Sequence, residues 1–471
     1  MIATLQPDLL YRDGTFLSAA TLAIGEAGRI LPAALAPAPQ TRLANKALLP
    51  GFVNVHSHAF QRLIRGKAES RAISGKDFWS WRGTMYHAAA NLAPEDIYDV
   101  ARMAFLEMLL SGTTTVGEFH YVHTAPDGTP YDDPNLLAHQ VIAAAQSVGI
   151  RIVLLNSAYL RAGFELLPDP GQRRFYETTE AFLRNTESLL AAYPPSNEVQ
   201  IGIAPHSIRA VPLPDLREII RWGREHALPI HMHLAEQVAE NTASLREHGH
   251  TPIALLAEHN LLGSDLTAVH AIHITPEEIA ALAAACSTIC SCPTTERNLG
   301  DGILPADRIL EAHIPIALGS DSQAQIDPLE DARQLDYHLR LLHQQRAILD
   351  QIHNQPIARS LFDTATRNGA RALQLPTGDL TPGQYADYIT VDLDDPSIAG
   401  HSADSLLSLL TFGLNRTAIR DVAVNGKLVV TDGHHPLEDE IITRYAQLHR
   451  RIWSSAPPSR PIPVQSTKAQ P

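Results

Sequence analysis

The sequence predicts an α/β protein, a (β/α)8 TIM-like barrel with a small β-sandwich domain formed by both chain ends. Three observations predict it. From about Leu48 to about Leu375, short apolar runs rich in β-branched residues alternate with longer helical patterns, in eight rounds. The two ends, 1–47 and 376–435, read as short strand-like runs, DYITVDL and DVAVNGKLVV among them, cut by Gly, Pro and Asp. No GxGxxG follows the first strand, which counts against an open dinucleotide-binding sheet.

In chain order, barrel strands are expected at 48–56, 113–121, 150–158, 199–206, 229–234, 266–270, 287–292 and 315–320. Apolar residues at three- and four-residue spacing predict helices at 95–111, 135–148, 172–192, 213–226, 240–259, 276–285, 305–313 and 328–349. The catalytic barrel is thus placed at 48–375. Residues 436–453 read as an amphipathic helix, and the Pro-rich tail from Ala456 as disordered, so 436–471 forms a helix and tail beyond the small domain.

Composition narrows the function. Hydrophobic residues make up 45% and charged residues 19%, an ordinary globular balance. The net charge of −14 and the lack of a long basic stretch argue against a nucleic-acid partner. No run of some 18 apolar residues suggests a membrane span. Met1 to Leu10 lacks a basic segment followed by an apolar one, so a cytoplasmic location is expected. The three cysteines, Cys286, Cys290 and Cys292, are clustered and odd in number, which excludes a disulfide framework.

Functional residues of such a barrel sit at the C-terminal ends of strands. The first strand ends in His56-Ser57-His58, the fourth in His206 and the fifth in His231-Met232-His233-Leu234-Ala235-Glu236. The sixth ends in His270, and the eighth in Asp321. Each alone is unremarkable: a strand-end His is more often exposed, and an Asp there is often a helix cap. Together they lie at one barrel mouth, where such a polar set has no packing role and suits a metal. His56, His58, His233 and Asp321 supply the ligands of a zinc site with one open position. Glu236 suits a general acid/base beside a metal-activated water, with His270 and Asp321 positioning that water. His231 precedes the bend, is expected to face the helix layer, and is left out.

This order of residues resembles the amidohydrolase superfamily, across about Met1 to Gly433. PGFVNVHSH and GQYADYITVDL are similar to that superfamily's usual approach to the barrel and return to the β unit. Its binuclear members bridge two metals with a carbamylated Lys. Here the five lysines are Lys46, Lys67, Lys76, Lys427 and Lys468, so barrel strands two to eight have none. The resemblance therefore implies one metal per chain, Zn2+, with Fe2+ or Mn2+ also compatible with this donor set. Longer segments, HSHAFQRLIRG, FWSWRGTMY, GEFHYVH, APHSIR, HLAEQ and CPTTERNLGDG, resemble the formimidoylglutamate deiminase family of histidine degradation. HYVHTAPDG departs from that pattern, where a second His is expected after His123. The resemblance implies hydrolysis of N-formimidoyl-L-glutamate to N-formyl-L-glutamate and ammonia, and a homodimer.

A dicarboxylate substrate needs cations, and with no Lys on the barrel strands Arg must supply them. Arg209, on the loop after strand four, is the best-placed anchor, with Arg82 second. Gln61, Tyr121 and His206 complete the expected substrate contacts. Arg62, Arg65, Arg161 and Arg297 compete as cations. The alternative functions are deamination of a purine or related heterocycle, hydrolysis of a cyclic amide, and a catalytically dead scaffold.

Overall fold

A computed structural model describes residues 3–32, 41–69, 78–164 and 167–454, with Phe78, Trp79 and Ser80 described by their backbone alone. The Pro-rich tail from Ala456 and residues 70–77 lie outside them. Eight parallel strands follow one another around a single sheet: Phe52–Ser57, Thr113–His120, Arg151–Ala158, Val199–Pro205, Ile230–Leu234, Leu266–His270, Thr288–Ser291 and Ile316–Leu318. Helices cover their outer faces and side chains fill the interior. The second and third strands are accordingly buried at every residue.

The ring closes between the last strand and the first. Asp321 N–H donates to His56 O at 2.9 Å, and His58 N–H donates to Asp321 O at 3.0 Å. The seam is therefore made by the backbone of three ligand candidates. A buried polar network backs it. Gln323 Nε2 donates to Ser57 Oγ at 2.8 Å and to Asp321 O at 2.9 Å. Ser57 Oγ in turn donates to Glu118 Oε2 at 2.6 Å.

The two chain ends build a separate mixed sheet. Its central strand, Thr41–Pro50, pairs in parallel with Ala3–Arg12 and antiparallel with Tyr388–Asp392. Ile419–Val424 and Lys427–Val430 extend it. The sheet is tied to the barrel below the third strand, away from the mouth. There the buried Arg151 meets Asp387 at 2.8 Å, and Asn425 Oδ1 accepts from the same guanidinium at 2.7 Å. The helix Glu438–Ser454 lies against Pro94–Leu110, where Arg102 forms a bidentate pair with Glu440 at 2.9 and 3.0 Å.

Three expected elements differ. The 48–56 segment is two strands, because Pro50 and Gly51 divide it between the two sheets. A Cβ at Gly51 would lie 2.2 Å from Thr114, so only glycine lets the chain pass there. The 240–259 helix is broken into Val238–His248 and Pro252–Glu258 by Gly249, whose φ is 75°. The 172–192 helix begins only at Thr179, capped by Thr178, after a 3-10 turn at Pro170–Gln172.

Candidate metal and catalytic site

Alternate residues of an extended chain share a face, so His56 and His58 both turn into the barrel mouth, ring centroids 4.6 Å apart. Strand five adds His233 and the turn after strand eight adds Asp321. One donor atom from each of these four buried residues lies within 4.8 Å of the others. Asp321 Oδ1 is 3.4 Å from His56 Nε2 and 3.3 Å from His58 Nε2. His56 Nε2 and His233 Nε2 are 3.2 Å apart. Bonds of about 2.0–2.1 Å to a tetrahedral cation put neighbouring donors about 3.3 Å apart, so this set fits a zinc-like ion. His58 Nδ1–H donates to Phe119 O at 2.9 Å and His233 Nδ1–H to His206 O at 2.9 Å. Each bond fixes the tautomer that leaves Nε2 free to ligate. Burial, then the neighbouring imidazoles, hold His56 and His233 well below the ordinary histidine pKa, and burial lowers His58. All three are thus held neutral, as ligation requires.

Beside this set stands a carboxylate with its own supports. Glu236 follows Ala235, which has a φ of 53°. His270 and Asp321 also adopt positive φ, 72° and 45°. Such strain gathers where a fold must aim a side chain. Burial raises the Glu236 pKa against the opposing pull of His270 and Arg209. His270 Nε2 lies 3.9 Å from Glu236 Oε1 and 3.9 Å from Asp321 Oδ2. Its Nδ1–H faces Glu296 Oε1 at 3.3 Å. Burial resists charging of this imidazole, but Glu236, Glu296 and Asp321 outweigh it and hold its pKa well above the ordinary range.

A narrow cavity of about 50 Å³ opens on these groups. His58, His206, His233, Glu236, His270 and Asp321 line it together with Gln61, Arg82, Tyr121 and Arg209. Of the eleven residues expected from sequence, only His56 is absent from its wall, because it is fully buried. Gln61 Nε2 donates to Tyr121 Oη at 2.8 Å, and Arg82 Nη2 to Tyr159 Oη at 3.3 Å. His206 Nδ1 sits 3.1 Å from Ser207 Oγ. The competing cations are engaged elsewhere: Arg62 and Arg65 with Glu107, Arg161 with Glu247, Arg297 with Glu330. His231 Nε2 bonds Ala372 O at 3.1 Å and is absent from the cavity wall.

Sequence reasoning missed several participants. Trp81, Met85 and Tyr86 reach the cavity from the helix Phe78–Ala90, and Tyr159 and Phe175 from the loop after strand three. Glu240 is the most consequential. It is buried, accepts from Glu236 N–H at 3.1 Å, and lies 3.6 Å from Arg209 Nε. Its position four residues after Glu236, one helical turn on, was the available signal. Glu240→Gln should leave the metal in place and raise KM severalfold, about 1 kcal/mol, because Arg209 loses a charged brace. Steady-state kinetics check this, and an unchanged KM would show that Arg209 stands without it.

Gly319 offers a test of the ligand set itself. A Cβ there would lie 2.7 Å from His56 Cβ and 2.9 Å from Cys292 Sγ. Gly319→Ala should therefore push His56 aside and weaken metal affinity roughly tenfold, the lower end for disturbing a ligand's support. Competition with a chelator measures it.

The Amidohydrolase family model matches residues 47–429. A formimidoylglutamate deiminase of Pseudomonas aeruginosa is 38% identical over 403 residues, 85% of this chain and 88% of that protein. An 8-oxoguanine deaminase of the same organism is 32% identical over 404 residues, 84% of this chain and 85% of its own. A crystal structure of an amidohydrolase from Brucella melitensis superposes with a TM-score of 0.87 at 32% identity, over 96% of this chain and 99% of that one. Barrel, ligand set and sequence agree: this chain belongs to the amidohydrolase family and is a hydrolase.

Proposed function

We propose that the protein hydrolyses N-formimidoyl-L-glutamate to N-formyl-L-glutamate and ammonia, with zinc as its metal, as a step of histidine degradation. The observation that carries this reading is the pair Arg209 and Arg82, both lining the cavity that holds the ligand set. Two cations on the wall of one small cavity suit a substrate with two carboxylates. The Pseudomonas aeruginosa deiminase supports the same substrate. A cytoplasmic homodimer accompanies the reading. Among the described residues no helix is long and apolar enough to cross a membrane.

A metal held by His56, His58, His233 and Asp321 supplies Lewis-acid activation of water. The chain does the rest. Arg209 and Arg82 bind the carboxylates and so place the formimidoyl carbon. His270 Nε2 and Asp321 Oδ2 orient the attacking water. Glu236 takes its proton and delivers it to the departing nitrogen. The cavity admits only a few water molecules. A dicarboxylate is larger than that, so the cavity must widen to bind it.

Ammonia release measured in parallel on formimidoylglutamate, guanine, 8-oxoguanine and adenosine tests the proposal. Formimidoylglutamate should be turned over far faster than any purine. A purine preference would install the second reading, heterocycle deamination, which the 8-oxoguanine deaminase relative and the aromatic cavity wall favour. Metal analysis should return about one tightly held equivalent, mostly zinc. Two tight equivalents, both needed for turnover, would overturn the single-metal reading.

A further inference from the structure

Behind the wall of the catalytic chamber lies a buried thiol that the proposed reaction does not use. Cys292 follows the seventh barrel strand and is fully buried. One donor atom each from His270, Cys292 and Asp321 lies within 4.8 Å of the other two. Glu296 fixes two members of this group at once. Its Oε1 accepts from Cys292 N–H at 2.7 Å and faces His270 Nδ1 at 3.3 Å. That leaves His270 Nε2 turned toward Asp321 Oδ2, 3.9 Å away. Behind the thiol, Gly319 lets Cys292 Sγ pack close to strand eight. His270 and Asp321 both line the cavity, so a cation that enters reaches the group directly.

We propose that His270, Cys292 and Asp321 form a second, weaker site for a soft divalent cation such as Zn2+ or Cd2+, sharing Asp321 with the first. The donor chemistry selects the ion class: one thiolate, one imidazole and one carboxylate suit zinc and cadmium and disfavour magnesium or calcium. Donors on a tetrahedral zinc stand about 3.3–3.7 Å apart, so a spread within 4.8 Å closes with small side-chain shifts. Asp321 bridges the two cations through its separate oxygens, as carboxylates do in two-metal sites. Filling the site takes one proton from the Cys292 thiol and one from His270 Nε2, and both go to solvent. It also withdraws His270 and Asp321 from the attacking water, so an excess of the cation stops turnover. The proposal rests on the first ligand set being a metal site, and not on the identity of the substrate.

The test titrates cadmium into protein that already holds its one tight equivalent of metal. The exposed Cys286 is first replaced by Ser, so that its thiol adds no signal. One further equivalent of cadmium should produce the ultraviolet charge-transfer band of a cadmium–thiolate bond, with turnover falling in parallel. Cys292→Ser should abolish the band and raise the zinc or cadmium concentration for half-inhibition roughly tenfold or more, as expected when a ligand is lost. Basal turnover should hold in that variant, and Cys292→Ala serves if the serine form does not fold. Cys290→Ser should retain both band and inhibition. A band that survives Cys292 replacement, or inhibition with no band in the parent protein, would overturn the proposal. Neither readout of the band needs substrate, so a failed substrate assignment leaves this test standing.

Discussion

Replacing Glu236 by Gln should lower kcat by roughly 10²–10⁴ while the protein keeps its metal and fold. The reaction must move a proton from attacking water to a nitrogen that leaves as ammonia, and a neutral amide can do neither half. Gln matches Glu in volume, and the backbone N–H bond to Glu240 survives the change. The four ligand candidates do not include Glu236, so metal analysis should still return about one equivalent. The direction of the Glu236 pKa matters here. Burial raises it, while His270 and Arg209 restrain the rise. A carboxylate lifted from its usual range transfers protons closer to working pH than an exposed one. Ammonia release under saturating substrate measures the loss. Near-normal turnover would move the base elsewhere, and Asp321 is the next carboxylate in line.

Arg209→Ala should cost roughly 2–5 kcal/mol in kcat/KM, the scale for truncating one partner of a buried charge pair. Arg209 is only 8% exposed, lines the cavity, and stands 3.8 Å from Glu236 Oε2 and 3.6 Å from Glu240 Oε1. Arg209→Lys should restore only part, since an ammonium lacks the planar fork. A formimidoyl derivative with no carboxylates should be a poor substrate of the wild type and little affected by the change. The pH profile carries a second signature. Arg209 lowers the Glu236 pKa, so its removal raises that pKa. The base must be ionised to act, so the acid limb of the kcat/KM profile should move to higher pH. If Arg209→Ala processes formimidoylglutamate normally, this residue is not the clamp.

The parts of the site that were legible in the sequence are those that strand periodicity dictates. Two-residue alternation places His56 with His58, and the structure has that arrangement. Eight rounds of alternation count out the barrel because each strand is buried on both faces and so reads as a short apolar run. Boundaries between packed units leave no such trace. Residues 48–56 read as one strand-like run, so the passage from one sheet to the other at Pro50 and Gly51 goes unmarked. Tyr159 and Tyr86 reach the cavity, and Glu240 braces Arg209 behind it, from helices and loops whose approach depends on tertiary packing, which no local period encodes. Glu296 lies within the CPTTERNLGDG segment, but its double role at His270 and Cys292 exists only once strands six and seven are side by side.

The seam has a consequence for biosynthesis. His56 and His58 emerge from the ribosome early, yet the partner that closes both ring and ligand set, Asp321, comes more than 260 residues later. A nascent chain that stops short of strand eight therefore holds an open barrel and an incomplete ligand set. The strand Thr41–Pro50 waits longer still, because its antiparallel neighbour Tyr388–Asp392 follows the whole barrel. Until then one edge of that strand is bare, a template for stray pairing between chains. Slow or interrupted translation should accordingly yield aggregates rather than partly active enzyme, and metal should load only onto chains that extend past Asp321.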